Sequence, residues 1–112
     1  MDDEEARELL SAERRRVTQL LDGIVQGRRE NRDAANEPGD MTDSAEPLTA
    51  EEADDAIAAS LRERLDAIER AEQRLHEGAF GRSVRSGALI PDDRLRADPA
   101  AELTVEEATQ AP

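Results

Sequence analysis

The sequence contains no cysteine. That excludes disulfides and any thiolate-ligated metal. Trp and Tyr are absent too, and Phe80 is the single aromatic residue. A chain so poor in large apolar side chains has little surface to bury against its conformational entropy. It is expected to be either disordered or an extended helical assembly with loose ends. Lysine is missing: all 15 basic residues are arginine. No run of 18 apolar residues occurs, so no membrane-spanning segment is expected. The opening MDDEEARELL is acidic and lacks the basic-then-apolar order of a signal peptide. A cytoplasmic location is the expectation.

Charge is abundant instead. The chain has 112 residues, 38% of them charged, and a net charge of -13. That length suits one domain at most. An acidic chain is repelled by phosphate backbones, which require clustered basic groups, so direct nucleic-acid binding is not expected. The local exceptions, Arg14-Arg15-Arg16 and Arg28-Arg29, stand among Glu13, Glu30 and Asp33 and read as a solvated helix face.

The apolar residues are few but patterned. Ile57, Leu61, Leu65, Ile68, Ala71 and Leu75 are spaced 4, 4, 3, 3 and 4, which places them on one helical face. The stripe is as narrow as a coiled-coil seam. Leu10, Val17 and Ile24 recur every seven residues, with Leu20 and Leu21 between them. Asp2, Asp3, Glu4 and Glu5 suit the positive end of a helix dipole. Glu37-Pro38-Gly39-Asp40 signals a turn. Thr49 and Glu52 have the spacing of a capping box. Gly78 is placed to stop the second helix.

The expected fold is therefore all-α, a long antiparallel hairpin over 1–77. It comprises helix 1 at about 2–36, a tip loop at about 37–49 and helix 2 at about 50–77. Residues 78–107 read as a small knuckle of short irregular strands. Its glycines allow tight turns, and Phe80, Leu89, Ile90 and Leu95 offer it a core. A short helix is expected around 104–108. The end of the chain, above all 108–112, is expected to be mobile.

Three segments in order resemble the DksA/TraR family of bacterial transcription factors. Asp40-Met41-Thr42-Asp43-Ser44-Ala45 matches D-x-x-D-x-A at the tip. The stretch through Ile68, Glu69, Ala71, Leu75, Glu77 and Gly78 is similar to the family's helix ending in E-x-G. Phe80-Gly81-Arg82-Ser83-Val84-Arg85-Ser86-Gly87, Ile90-Pro91, Arg94-Leu95, Pro99 and Ala101 follow the knuckle pattern. The resemblance covers most of 10–107.

It implies a finger that enters the secondary channel of RNA polymerase, with Asp40 and Asp43 as functional acids and Ala45 beside them. It also implies four zinc cysteines, at Ser83, Ser86, Thr104 and Glu107. None is cysteine here, so no retained zinc site and no cofactor are expected. Positions that answer guanosine tetraphosphate in some members fall on Ser60, Glu63, Ala67 and Asp98. None is basic, so no response through them is expected. The lone His76 reads as a polar residue near a helix C-terminus.

The expected function is a non-enzymatic regulator acting as a monomer on RNA polymerase. The alternatives are an adaptor that reuses the scaffold for another protein, a structural homodimeric coiled coil, and a nearly inactive paralogue. An enzyme is not expected. There is no Cys nucleophile, no second His and no glycine-rich phosphate loop.

Overall fold

The structure, a computed structural model, describes residues 1–35 and 49–110, with side chains over 1–27 and 52–110. Among the described residues four helices follow in order: α1 (Asp3–Ala35), α2 (Thr49–His76), α3 (Asp92–Ala97) and α4 (Val105–Thr109). The first two pack against each other as the hairpin that their stripes predict. Expected and observed helix ends differ by one residue at each terminus.

Each end of the hairpin has a local cause. The Asp2 carboxylate accepts a hydrogen bond from the Glu5 amide at 2.8 Å, capping α1. Asp3, Glu4 and Glu5 fill its acidic first turn. At the far end of α2, Gly78 adopts φ +80. The Ala79 amide then donates to the Arg74 carbonyl at 2.8 Å, and the Gly78 amide to Leu75 at 3.2 Å. This is a Schellman closure, which needs a left-handed residue at that position. The expected Thr49 cap lies outside the residues whose side chains are described.

The seam buries Ala6, Leu10, Val17, Ala58, Ile68 and Ala71. Leu61, Leu65 and Leu75 pack at its edge. Ile57 was expected in the seam, yet it is 50% exposed and Ala58 is buried in its place. A small residue there lets the two helices approach, and the seam turns by one position. Leu20 (47% exposed) and Val25 (37%) also face outward. The apolar contact thus thins along α1 in the direction away from the knuckle.

Residues 78–91 form turns around one isolated antiparallel bridge, Arg82 to Leu89, and no strand occurs among the described residues. The expected short strands are therefore corrected to a tight loop. The Ser83 amide donates to the Ala88 carbonyl at 2.8 Å, and the Gly87 amide to Ser83 at 2.9 Å. Three successive turn residues leave no room for a ladder. Pro91, Asp92 and Asp93 then start α3, a helix too short to show a period in sequence.

A second small cluster, Ile90, Leu95 and Ala101, forms the knuckle core, with Met1 and Phe80 against it. Leu89 was expected there but is 69% exposed. Its backbone faces Arg82 in the bridge, and alternation sends Ile90 inward. Phe80 also packs on the hairpin cluster, together with Ala100. The single aromatic ring thus joins the two cores.

The segment after α3 is fixed in place. Pro99, Ala100, Ala101 and Thr104 are buried. These residues lie within the 78–107 stretch expected to form the knuckle, ahead of the 108–112 end expected to be mobile. The Arg94 guanidinium donates to the Leu103 carbonyl at 2.9 Å, anchoring the segment from α3. α4 follows at the place where a short helix was expected.

Candidate functional site

Asp40, Asp43 and Ala45, the residues expected at the tip, lie outside the described residues. The chain joins them covalently to the ends of α1 and α2. What the structure supplies is the platform: two paired helices, of which α2 alone runs roughly 42 Å at 1.5 Å per residue.

Ion pairs lock this platform to the knuckle. Arg64 on α2 reaches Glu13 on α1 at 3.0 Å and Asp98 after α3 at 2.6 Å. Arg70 and Arg74 both meet Glu102, at 3.0 and 3.4 Å. Arg96 on α3 reaches back to Glu5 at 2.9 Å, and the N-terminal ammonium reaches Asp92 at 3.1 Å. The hydrogen bond from Arg16 draws the Glu13 carboxyl down to about 2, aided by Arg64 and opposed by burial. Arg70, then Arg74, likewise lowers Glu102. Both acids are ionised throughout the physiological range.

The Arg14-Arg15-Arg16 run is only partly the solvated face expected of it. Arg14 crosses to Glu72 on α2 in a two-pronged contact, with bonds of 3.2 and 2.5 Å. Arg16 folds back on Glu13 at 2.8 Å. Arg15 reaches the Ser11 hydroxyl at 3.4 Å. The side chains of Arg28 and Arg29 lie outside the described set. His76 is exposed at the end of α2, beside a shallow cleft lined by Arg7, Leu10, Ser11, Glu72 and Leu75.

Asp98, one of the four positions compared with a nucleotide site, is engaged by Arg64. Ser60 and Glu63 are exposed and Ala67 is half-buried.

The four positions at which the resemblance implies zinc ligands do come together. Ser83 is 4% exposed and Thr104 9%. The Ser83 hydroxyl oxygen accepts from the Arg85 amide at 3.0 Å and the Ser86 amide at 3.2 Å. Thr104 caps α4: its hydroxyl oxygen accepts from the Glu107 amide at 3.2 Å. Glu107 returns the bond, its carboxylate accepting from the Thr104 amide at 2.9 Å and the Thr104 hydroxyl at 3.2 Å. The neighbouring hydroxyls of Ser83 and Ser86, then the amide and hydroxyl of Thr104, hold its pKa down at about 2.

A zinc ion does not fit this donor set. Hydroxyls are weak ligands, and those of Ser83 and Thr104 already accept bonds from backbone amides. Among the described residues, no group of three or more His, Cys, Asp or Glu is placed to hold a metal ion. The Thr104-x-x-Glu107 spacing of a capping box was the sequence signal for this arrangement. Nothing in sequence signalled Arg64 as the link between Glu13 and Asp98.

No family model matches the sequence, and no curated protein matches it. Among solved structures, the chain is similar to transcription factor DksA2 from Pseudomonas aeruginosa. The two share 26% identity with a TM-score of 0.69, over 95% of this chain and 79% of that one.

Proposed function

We propose that this chain, whose fold is DksA/TraR-like, regulates transcription by binding RNA polymerase. The finger enters the secondary channel and carries Asp40, Asp43 and Ala45 to the neighbourhood of the active site. The protein acts as a cytoplasmic monomer without enzymatic activity of its own. The likeness to a transcription factor over 95% of the chain carries this reading. The packing of α1 against α2 as a hairpin supports it. The Arg64 and Arg14 bridges tie α1 to α2, and Arg64 also reaches Asp98 beside the knuckle.

The proposed chemistry at the tip is electrostatic. Two carboxylates three residues apart on the end of a rod bring negative charge into a narrow passage. There they meet basic groups or a bound magnesium ion. No bond is made or broken by the chain itself.

The test is binding to core RNA polymerase from the same organism, with a known secondary-channel binder as competitor. Wild type is expected to bind and to be displaced. The Asp40→Asn/Asp43→Asn variant is expected to bind with similar affinity and to lose its effect on transcription. Binding that the competitor leaves intact would place the finger elsewhere. Absence of binding would favour an adaptor for another protein.

A further inference from the structure

Residues 78–91 contain no Asp or Glu, the longest acid-free stretch in a chain with 28 such residues. They do contain Arg82 and Arg85. Both are exposed, and so are Val84 at 56% and Leu89 at 69%. We propose that this face of the knuckle is an interaction surface for an acidic protein segment, one that presents carboxylates beside an apolar side chain.

The backbone sets these side chains together. Arg82 and Leu89 are opposite each other in the antiparallel bridge, so their side chains stand on one face. Their neighbours Ser83 and Ile90 are buried, and alternation turns Arg82 and Leu89 outward. The bonds from the Ser83 amide to Ala88 and from the Gly87 amide to Ser83 close the turn that carries Val84 and Arg85.

The arginines have donors to spare. Arg64, Arg70 and Arg96 reach carboxylates of this chain. Among the described residues, Arg82 and Arg85 meet backbone carbonyls instead, of Gly87 at 3.1 Å and Glu107 at 3.4 Å. Glu107 turns its own carboxylate to Thr104. A guanidinium has five N–H donors, so each arginine keeps enough for a two-pronged carboxylate contact.

An exposed leucine alone would mean little, since single apolar residues are common on surfaces. Beside these arginines it gains meaning, because interfaces concentrate arginine and apolar side chains. Charge complementarity then selects an acidic protein segment. A nucleic acid would find two arginines against a net charge of -13. It would also find no ring to stack on, because Phe80 packs between the two apolar clusters. A second copy would bring the same net charge and be repelled. The loop follows the end of α2, whereas the tip residues precede its start. Occupation of this face is therefore separate from the proposed contact of the finger.

The experiment titrates the full chain with a short capped peptide of leucines flanked by glutamates. Backbone amides are followed by NMR at neutral pH and low salt. Saturable shifts are expected at Arg82, Val84, Arg85 and Leu89, with the Ala71 amide of α2 unmoved. Arg82→Ser/Arg85→Ser is expected to weaken binding about tenfold, the loss of two exposed ion pairs. Arg82→Lys/Arg85→Lys keeps the charge and is expected to retain most of the affinity. Leu89→Ser is expected to weaken binding about fivefold by removing apolar contact.

Absence of saturable shifts at these amides overturns the proposal. Equal binding of a peptide with glutamine for glutamate overturns it, since charge would then play no part. A lysine variant as weak as the serine variant overturns it for the same reason. Tighter binding of a single-stranded oligonucleotide reassigns the face to phosphate, and shifts that follow chain concentration without peptide reassign it to a second copy. Either result overturns it as well.

Discussion

The hairpin and the knuckle solve the same shortage in opposite ways. Both belong to a chain with one aromatic residue and few large aliphatic ones. The hairpin lines its apolar residues up at helical spacing, so that Leu10, Val17, Ile68 and Ala71 bury one another. The knuckle cannot do that, because its segments are too short to have a face. It has a three-residue core of Ile90, Leu95 and Ala101. Around it stand backbone turns, a capping box and ion pairs to the hairpin. Apolar burial is non-directional and tolerates small shifts. Hydrogen bonds tolerate few, and exposed ion pairs contribute only fractions of a kcal/mol each. The hairpin should therefore dominate stability, and the knuckle should depend on being docked to it.

The sharpest way to break this contrast is to empty the hairpin seam. Ile68 is fully buried. Ile68→Ala is expected to cost about 3 kcal/mol, from lost transfer energy and the cavity left behind. Urea denaturation monitored by helical circular dichroism would measure it. The next effect should come at the joint. Phe80 packs on both clusters but is only half-buried. Phe80→Ala is expected to cost about 2 kcal/mol, below the range for a fully buried ring. It should also split unfolding into two steps, with knuckle amides exchanging well before those of α2. A single cooperative transition would show that the ion pairs and the buried Ala100 suffice for docking.

The hairpin was legible in sequence because its signals are periodic and long. Six apolar residues over α2 give a helix, a face and a partner together. Gly78 and the acids at the start of α1 then mark the ends. The exchange of Ile57 for Ala58 escaped because the two are adjacent and both apolar; only the partner helix decides between them. The knuckle was legible as a likeness but not as physics. α3 spans six residues, less than two turns, so no period can emerge. Leu89 and Ile90 are equally hydrophobic, and the bridge at Arg82 sets which one turns inward. Ser83, Ser86, Thr104 and Glu107 at cysteine positions read as a lost site, and the Thr104-x-x-Glu107 spacing of a capping box was the signal overlooked there. The tip acids Asp40 and Asp43 fall outside the described residues, so their assignment rests on sequence and on proposal.

Smaller effects test how the two regions are joined. Gly78→Ala forces a side chain into a left-handed conformation where open space surrounds the new methyl group. The cost is expected to be roughly 1 kcal/mol, arising from the backbone alone. Glu13→Gln should cost slightly less at neutral pH, roughly 0.5–1 kcal/mol, by weakening the Arg16 and Arg64 contacts. Its pH dependence is the more specific readout. The folded-state pKa of about 2 lies below the ordinary 4.5. The contribution is therefore complete above about pH 4.5 and is lost as pH falls from there toward 2. Glu13→Gln should flatten the acid limb of a stability-against-pH curve, and an unchanged limb would assign that limb to other acids such as Glu102.

Leu89 offers the smallest effect and the finest test. It sits one residue from Ile90 and has a similar side chain, but it is 69% exposed where Ile90 is 3%. If the bridge at Arg82 fixes the register of this loop, the two positions should differ sharply. Leu89→Ala is expected to change stability by less than about 0.5 kcal/mol, the usual range for a surface substitution. Ile90→Ala is expected to cost about 2 kcal/mol by opening a cavity beside Leu95 and Ala101. Equal costs, measured by thermal and urea unfolding, would mean that the loop slides by one residue to bury whichever side chain is larger. The knuckle would then be held by interchangeable apolar contacts, as the hairpin is, and the directional bonds would be following the packing rather than setting it.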